Sequence, residues 1–262
     1  MASDISLKQE EPLLLLKMLP DDIPVFIFTG YTDLRKSISM LCRMMEDDYK
    51  TDSESWCMTL FCGERADRFK AFSFDGDGYC LFTIYLKNRQ LSWPRIGGKE
   101  DGEMWWIDRQ QLADLMNGNS ISEDDLDDED IPEPQKTTWA LKLYHGALTS
   151  RILPMNLYLC TGYTDLRKTA GELSSIISSY GLDLETDALY FFCDKRCDRI
   201  KMLYFFGGEC LVMSKHLTEG SYQWPHEEDK MWRLAYSQVY DVLAGEKLEE
   251  EKVLRVIRKV KT

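Results

Sequence analysis

The sequence has few of the residues from which metal sites are usually built. It holds only three histidines in 262 residues, and none of its eight cysteines forms a Cys-x-x-Cys pair. Zinc sites usually show such close pairs, so the sequence predicts no metal site and no cofactor. Cys62, Cys80, Cys193 and Cys210 lie in apolar runs, and we expect them to be buried and reduced.

Long apolar runs are also missing. No stretch reaches the roughly 18 apolar residues that a membrane-spanning helix needs. The short apolar patch Leu13–Leu16 follows acidic residues, whereas a signal peptide begins with a basic region. The sequence therefore predicts a cytoplasmic protein with no membrane partner.

A third absence is the basic balance of a dedicated nucleic-acid-binding protein. The formal net charge is -13, and residues 119–136 alone hold eight acidic residues and one basic residue. Like charges repel, and this segment has few apolar groups to offset the entropy of ordering. We expect it to be a flexible acidic linker between mildly acidic folded regions.

What the sequence does contain is an internal repeat. Thr29–Lys36 (TGYTDLRK) recurs without change as Thr161–Lys168. Two further blocks follow in the same order in both halves: Arg65–Lys70 with Arg196–Lys201, and Trp93-Pro94 with Trp224-Pro225. Ordered blocks at a nearly constant offset indicate a tandem duplication. The expected organisation is a first copy at residues 1–118, the linker at 119–136, a second copy at 137–245, and a basic amphipathic helix at 246–262.

Each copy is predicted to contain one small sheet and two helices. Val25–Phe28 is a short apolar strand, and a helix is expected to begin near Thr32, with Thr32 as its N-cap and Asp33 in its first turn. Further strands are predicted at Cys57–Phe61, Phe69–Phe74 and Tyr79–Leu86, with another possible before Trp93-Pro94.

A hairpin turn is predicted at Asp75–Gly78, and a closing helix at Asp108–Met116 that Gly118 ends. The predicted order is strand, helix, three or four strands, helix. The predicted fold class is α+β: two repeated copies of a small antiparallel sheet, each with two helices on one face.

These motifs resemble those of the TnpB-type proteins, the second open reading frame of the IS sixty-six group of insertion sequences. Members of that group typically show Thr-Gly-x-Thr-Asp-x-Arg-Lys, then Arg-x-Asp-Arg-x-Lys, Asp-Gly-x-Gly and Trp-Pro. The first copy carries all four blocks. The second carries Phe206–Glu209 in place of the Asp-Gly-x-Gly hairpin, which indicates that the halves have specialised.

The resemblance implies an accessory protein of transposition that works beside a separate transposase. We expect no enzymatic activity. Two carboxylates recur in both halves, Asp33/Asp165 and Asp67/Asp198, and a nuclease could use such pairs to hold metal ions. However, Asp67 lies between Arg65 and Arg68, which are expected to neutralise it.

The repeated basic residues are the candidate binding site. They are Arg35, Lys36, Arg65, Arg68 and Lys70 in the first copy, and Arg167, Lys168, Arg196, Arg199 and Lys201 in the second. They either pair with neighbouring acids on a solvated surface, or form one basic patch per copy that contacts phosphates or an acidic partner. Trp93 and Trp224 are expected to pack in the core.

The sequence therefore predicts an accessory protein that binds element DNA, the transposase, or both. Two alternatives stay open. One is a protein-binding adaptor whose acidic surface contacts a basic transposase without touching DNA. The other is a domesticated regulator in which the acidic linker mimics the charge of DNA.

Overall fold

The fold was analysed in a computed structural model of the chain. It describes residues 19, 23–86, 90–95, 102–122, 124, 126, 156–184, 188–206, 209–249, 252–253 and 255–260. The start of the predicted second copy, residues 137–155, and most of the predicted linker lie outside these residues.

Strands dominate the described part of the chain and form one continuous sheet of eleven. They are β1 (Val25–Phe28), β2 (Met58–Cys62), β3 (Arg68–Phe74), β4 (Gly78–Tyr85), β5 (Met104–Ile107), β6 (Asn156–Cys160), β7 (Ala188–Cys193), β8 (Arg199–Phe206), β9 (Glu209–Leu217), β10 (Lys230–Arg233) and β11 (Arg255–Arg258). The order across the sheet is β11-β10-β6-β7-β8-β9-β4-β3-β2-β1-β5.

The predicted fold class, two separate small sheets with two helices each, is therefore wrong. The helices of the described residues are short, and the two copies share a single sheet. The physical reason lies at β4 and β9. Each would be an open edge in an isolated copy, exposing unpaired backbone N–H and C=O groups, and instead they pair with each other over eight residues each.

The two copies have the same topology, as the repeat predicts. In the first copy β1 pairs in parallel with β2 and antiparallel with β5, and in the second β6 pairs in the same ways with β7 and β10. Antiparallel pairs then join β2 to β3 to β4, and β7 to β8 to β9. The sheet is thus mixed, whereas an antiparallel one was predicted.

Four α-helices connect these strands in the described residues. They are α1 (Ile38–Arg43, continued by a π-helical turn at Met44–Asp48), α2 (Arg109–Met116), α3 (Ala170–Ser179) and α4 (Tyr236–Leu243). Because β1 and β2 are parallel, the chain needs a crossover between them, and α1 lies in that crossover. The second copy uses α3 in the same way.

The helices lie on both faces of the sheet. Leu41 of α1 and Leu173 of α3 are buried in two separate clusters, one in each copy. Leu112 of α2 and Val239 of α4 share a third cluster, which contains residues of both copies and runs along the other face. The prediction that the helices cover one face only is wrong, since the crossover helix and the closing helix leave the sheet on opposite sides. No helix among the described residues has the length and apolar character needed to cross a membrane.

The helix bounds correct one prediction and confirm another. Helix α1 begins after Ser37, whose hydroxyl caps the N–H of Met40, so Thr32 is not its N-cap. The closing helix α2 begins after Asp108, with a capping box formed with Gln111. Gly118 follows it with a φ of +87°, a backbone conformation that ends helices and favours glycine.

Two predictions about the connecting segments are also corrected. Arg255–Arg258 form the strand β11, antiparallel to β10, where a C-terminal helix was predicted. Ile121 and Leu126 of the predicted linker are each 7% exposed and belong to the core, because apolar side chains at the start of the acidic segment can still reach the sheet.

Candidate functional site

The repeated motif forms a tight turn before the first helix of each copy. Asp33 accepts hydrogen bonds from the backbone N–H of Arg35 (2.9 Å) and from its guanidinium (2.8 Å to Oδ2). These bonds lower the pKa of Asp33 to about 2. Asp165 and Arg167 repeat the arrangement, with 3.0 Å and 2.7 Å for the same two contacts.

The pairing of Arg35 with Asp33 leaves its guanidinium available to solvent. The side chains of Arg35 and Arg167 are both 91% exposed. The carboxylate therefore orients the arginine without covering it. Of the two alternatives from sequence, pairing with a neighbouring acid is confirmed for these arginines, and contact with a ligand stays a prediction.

In each copy, a lysine of the sheet donates hydrogen bonds to backbone carbonyls of the motif turn. The ammonium of Lys70, on β3, donates a 2.8 Å hydrogen bond to the carbonyl of Lys36. Lys201, on β8, donates to the carbonyls of Leu166 and Lys168 (3.1 Å for the latter). Burial lowers the pKa of both lysines, to about 8 for Lys70. The structure gives these two predicted site residues a positioning role.

The remaining predicted arginines share one carboxylate in each copy. Arg65 and Arg68 lie 2.7 and 3.6 Å from the carboxylate of Asp67. Arg196 and Arg199 lie 3.1 and 3.5 Å from Asp198. All four arginine side chains are between 42% and 75% exposed, so this pairing also leaves donors facing solvent.

Trp93 and Trp224 are hydrogen-bonded to the last residue of the strand that precedes each motif. Trp93 is 6% exposed and its indole N–H donates to the carbonyl of Phe28 (2.8 Å). Trp224 is 4% exposed and donates to Cys160 (3.1 Å). The prediction that both pack in the core is confirmed, and their N–H groups fix the end of the strand that leads into the motif.

One pair of site residues was missed by the sequence reasoning. Arg95 lies over the ring of Tyr31, 3.7 Å from its centroid, and donates to the carbonyls of Gly30 (2.7 Å) and Gly63 (3.0 Å). In the second copy the corresponding contact joins Tyr163 and His226, with 2.8 Å between the hydroxyl oxygen and Nδ1. A sequence signal for these contacts was present, since Arg95 and His226 each directly follow a Trp-Pro block.

A groove runs along the α1 and α3 side of the sheet, where the two copies meet. Its volume is about 760 Å³, and residues of both copies line it. Ser37 and Ser39 come from the start of α1, and Arg167, Arg196, Arg199 and Lys201 come from the second copy. The floor includes Leu81 and Ser214, which face each other across the β4–β9 pairing.

The local charge differs in sign from that of the whole chain. The first copy contributes five motif cations (Arg35, Lys36, Arg65, Arg68 and Lys70) against two carboxylates (Asp33 and Asp67), and the second copy repeats this ratio. The two clusters are close enough to interact: after burial, the charges of Lys201 and Arg68 also lower the pKa of Lys70. The groove is thus lined by the basic cluster of the second copy, on a chain of net charge -13.

The described residues contain no group of three or more His, Cys, Asp or Glu side chains placed to hold a metal ion. All eight cysteines are free thiols. Cys62, Cys80 and Cys193 are buried, as predicted, whereas Cys210 is half-buried. Cys210 pairs with Phe205 as Tyr79 pairs with Phe74, so its counterpart in the first copy is Tyr79, one residue before the buried Cys80 and on the other face of the strand.

Comparison with known proteins agrees with the repeat. The family described as IS66 Orf2 like protein matches the chain twice, at residues 23–125 and 155–253. The uncharacterized protein y4hO of Sinorhizobium fredii is 30% identical over 103 residues, which cover 38% of this chain and 86% of that protein. No solved structure matches the chain. The chain therefore belongs to the IS66 Orf2-like family, accessory proteins associated with transposition, and carries two copies of the family's domain.

Proposed function

We propose that the chain binds the phosphate backbone of DNA in the groove between its two copies, as a non-catalytic accessory protein of insertion-sequence transposition. The observation that carries the proposal is that four repeated cations of the second copy, Arg167, Arg196, Arg199 and Lys201, line a groove whose other wall is the start of α1 in the first copy. Phosphate contacts from arginine and lysine position a protein on DNA without reading sequence.

The arrangement of the arginines suits a polyanion. Each of Arg35 and Arg167 is held in a fixed direction by one carboxylate and is otherwise exposed. A guanidinium in this state needs little further ordering when a phosphate arrives, and it retains donors for a charge-assisted hydrogen bond. The acidic residues elsewhere act only weakly on it, because charges are screened beyond about 8 Å at physiological salt.

A non-catalytic role is supported by what the repeated carboxylates do. Asp33 and Asp67 in the first copy, and their counterparts in the second, are engaged by arginines at 2.7–2.8 Å or 3.1 Å. Carboxylates that neutralise arginines are poor candidates for metal ligands of a nuclease. The strand chemistry of transposition is thus assigned to a separate transposase.

The second candidate function is that of an adaptor that binds the transposase and never touches DNA. The net charge of -13 favours it, since an acidic surface attracts a basic DNA-processing enzyme. The two functions differ in their predictions for the groove. An adaptor that uses its acidic residues would bind the transposase equally well when the groove cations are removed, whereas DNA binding would be lost.

The test is a titration of fluorescently labelled duplex DNA by anisotropy, repeated over a range of salt concentrations. We expect affinity to fall steeply with salt, with a log–log slope of about 0.9 for each phosphate contacted. The double variant Arg167→Glu/Arg199→Glu should lower affinity by roughly 100-fold or more, since it reverses two exposed cations that line the groove.

The matched control reverses two cations on the other side of the sheet, Lys247→Glu/Lys252→Glu. These residues line a separate small pocket beside α4 and should leave DNA affinity within about threefold of the parent, through long-range charge alone. Equal loss in both variants, or no DNA binding by the parent at low salt, would rule out the groove as a DNA site. Retained transposase binding by the first variant would then favour the adaptor.

A further inference from the structure

A buried ion pair joins the two copies. The ammonium of Lys215, on β9 of the second copy, lies 2.7 Å from the carboxylates of both Asp75 and Asp77 in the β3–β4 hairpin of the first. The side chains of Lys215 and Asp75 are 4% and 0% exposed. Asp75 also accepts a hydrogen bond from the N–H of Gly78. These three charged groups, Lys215, Asp75 and Asp77, are called the hairpin lock below.

The hairpin lock breaks the symmetry of the interface. The β4–β9 register pairs Phe82 with Met213 at its centre and places Cys80 opposite Lys215. When the two copies are exchanged about this centre, Ile84 takes the position of Lys215 and Leu211 takes the position of Cys80. The first copy therefore has Ile84 where the second has Lys215, and the second has Phe206 where the first has Asp75.

We propose that the hairpin lock makes this interface selective for unlike copies: the β4 edge of a first copy accepts the β9 edge of a second copy and rejects another first copy. The same selectivity holds whether the second copy is on the same chain or on another molecule of this protein. This inference does not depend on DNA binding.

The selectivity follows from the cost of burying an unpaired charge. In a pairing of two first copies, each buried Asp75 would meet an isoleucine at the position of Lys215. In a pairing of two second copies, each Lys215 would be buried without a carboxylate. An unpaired ion in the interior is far less stable than a paired one, so both like pairings are disfavoured and the unlike pairing is retained.

The backbone of the hairpin supports the proposal, because its glycines place both carboxylates beside Lys215. Gly76 has a φ of +92°, which lets the chain reverse between the two acids. The backbone of Gly78 approaches the carbonyl of His216 so closely that an added Cβ would lie 2.5 Å from that oxygen. The second copy has Phe206, Gly208 and Glu209 at the positions of Asp75, Asp77 and Gly78, so it cannot offer the same two carboxylates.

The test uses the whole chain with a protease recognition sequence inserted between Glu129 and Asp130. After folding and cleavage, the halves are held only by noncovalent contacts. Cleaved protein is mixed with isotopically labelled cleaved protein, and native mass spectrometry identifies the pairs formed after exchange. We expect pairs of a first with a second copy, and like pairs below roughly one hundredth of the total, from the cost of two unpaired buried charges.

Three variants make the test decisive. Lys215→Met should weaken the association of the halves by roughly 100-fold or more, because Asp75 loses its cation. The control Lys230→Met removes a lysine that pairs with Glu227 at the protein surface and should leave the association unchanged. The neutral variant Asp75→Asn/Asp77→Asn/Lys215→Met keeps the shape and buries no charge, so pairs should form but without selectivity.

The neutral variant keeps the proposal testable even if Lys215→Met fails to fold. Like pairs should become a substantial fraction of the total in it. If the parent forms like and unlike pairs equally, or if the neutral variant remains as selective as the parent, the hairpin lock does not determine pairing and the proposal is wrong.

Discussion

Lys70 donates a hydrogen bond to the backbone carbonyl of Lys36 at 2.8 Å, so one basic residue of the motif holds another by its main chain. The two lysines therefore have different structural roles. Lys70 is 7% exposed and fixes the turn, whereas the half-buried side chain of Lys36 has no part in that hydrogen bond.

The first prediction separates these duties by amide hydrogen exchange. Lys70→Met removes the charged donor, and a hydrogen bond to a charged group contributes about 1.5–3 kcal/mol. Amides of the turn at residues 32–37 should then exchange roughly 10- to 100-fold faster. Lys36→Met removes a charge of the same sign but keeps the carbonyl, so protection should be retained. Equal exchange in both variants would contradict the assigned role.

A second prediction concerns pH. Burial lowers the pKa of Lys70 from its ordinary 10.5 to about 8. Between these values the unfolded chain still holds a proton that the folded chain has released. The free energy of unfolding should therefore rise with pH in this window, by up to about 1.4 kcal/mol per pH unit from this group. Below pH 8 both states are protonated, and the contribution is flat.

Urea denaturation of the parent and of Lys70→Met at pH 7.5, 8.5 and 9.5 would measure this contribution as a difference. Groups that titrate in both proteins, such as the buried thiols, cancel. We expect the stability of the parent relative to the variant to increase with pH. A constant difference over the range would show that Lys70 titrates near its ordinary value.

The third prediction tests the contact between the copies through a single methyl group. A Cβ at position 78 would lie 2.5 Å from the carbonyl oxygen of His216 on the neighbouring strand. Gly78→Ala should therefore destabilise the protein by about 1–3 kcal/mol, because β4 and β9 must move apart. Gly171→Ala is the control: nothing lies within 4 Å of its added Cβ, and in α3 it should stabilise by about 0.4–1 kcal/mol.

Thermal or urea unfolding of the two glycine variants gives the comparison directly. A loss of stability in both would indicate a general intolerance to substitution. If Gly78→Ala is as stable as the parent, the two copies are not held together by the close β4–β9 pairing.

The fourth prediction exploits the difference between Arg95 and His226, which occupy the same position after Trp-Pro. His226→Arg should be tolerated, since the first copy already carries arginine beside a tyrosine. Arg95→His should cost about 2 kcal/mol, because an imidazole cannot donate to the carbonyls of both Gly30 and Gly63. Urea midpoints of the two variants check this, and a larger loss for His226→Arg would contradict the equivalence of the sites.

Local features of the fold were predictable where a short signal decides them. The closing helix was predicted with Gly118 as its end, and the hairpin at Asp75–Gly78 from the two glycines that suit a tight turn. The start of α1 was misplaced because Thr32 has the residue type of a cap, whereas in the structure it is buried and Ser37 caps the helix.

The single sheet was not predictable from either copy alone. Alternation along β4 shows which side chains face which side, but it does not show which strand lies next to it. The same limit applies to Arg255–Arg258, where valine and isoleucine between basic residues suit a short amphipathic helix or an edge strand. Pairing with β10 decides for the strand, and that partner lies more than twenty residues earlier.

Fusion of the two copies has a consequence for how their interface can change. In a symmetric dimer of identical chains every substitution appears twice, so a lysine at the position of Lys215 would occur on both sides and remove the isoleucine now found at Ile84. One chain that carries both copies can alter each side independently, while the connection keeps the local concentration of the partner in the millimolar range or near it. Duplication therefore removes the requirement that both sides of the interface carry the same residues, and the two surfaces can diverge.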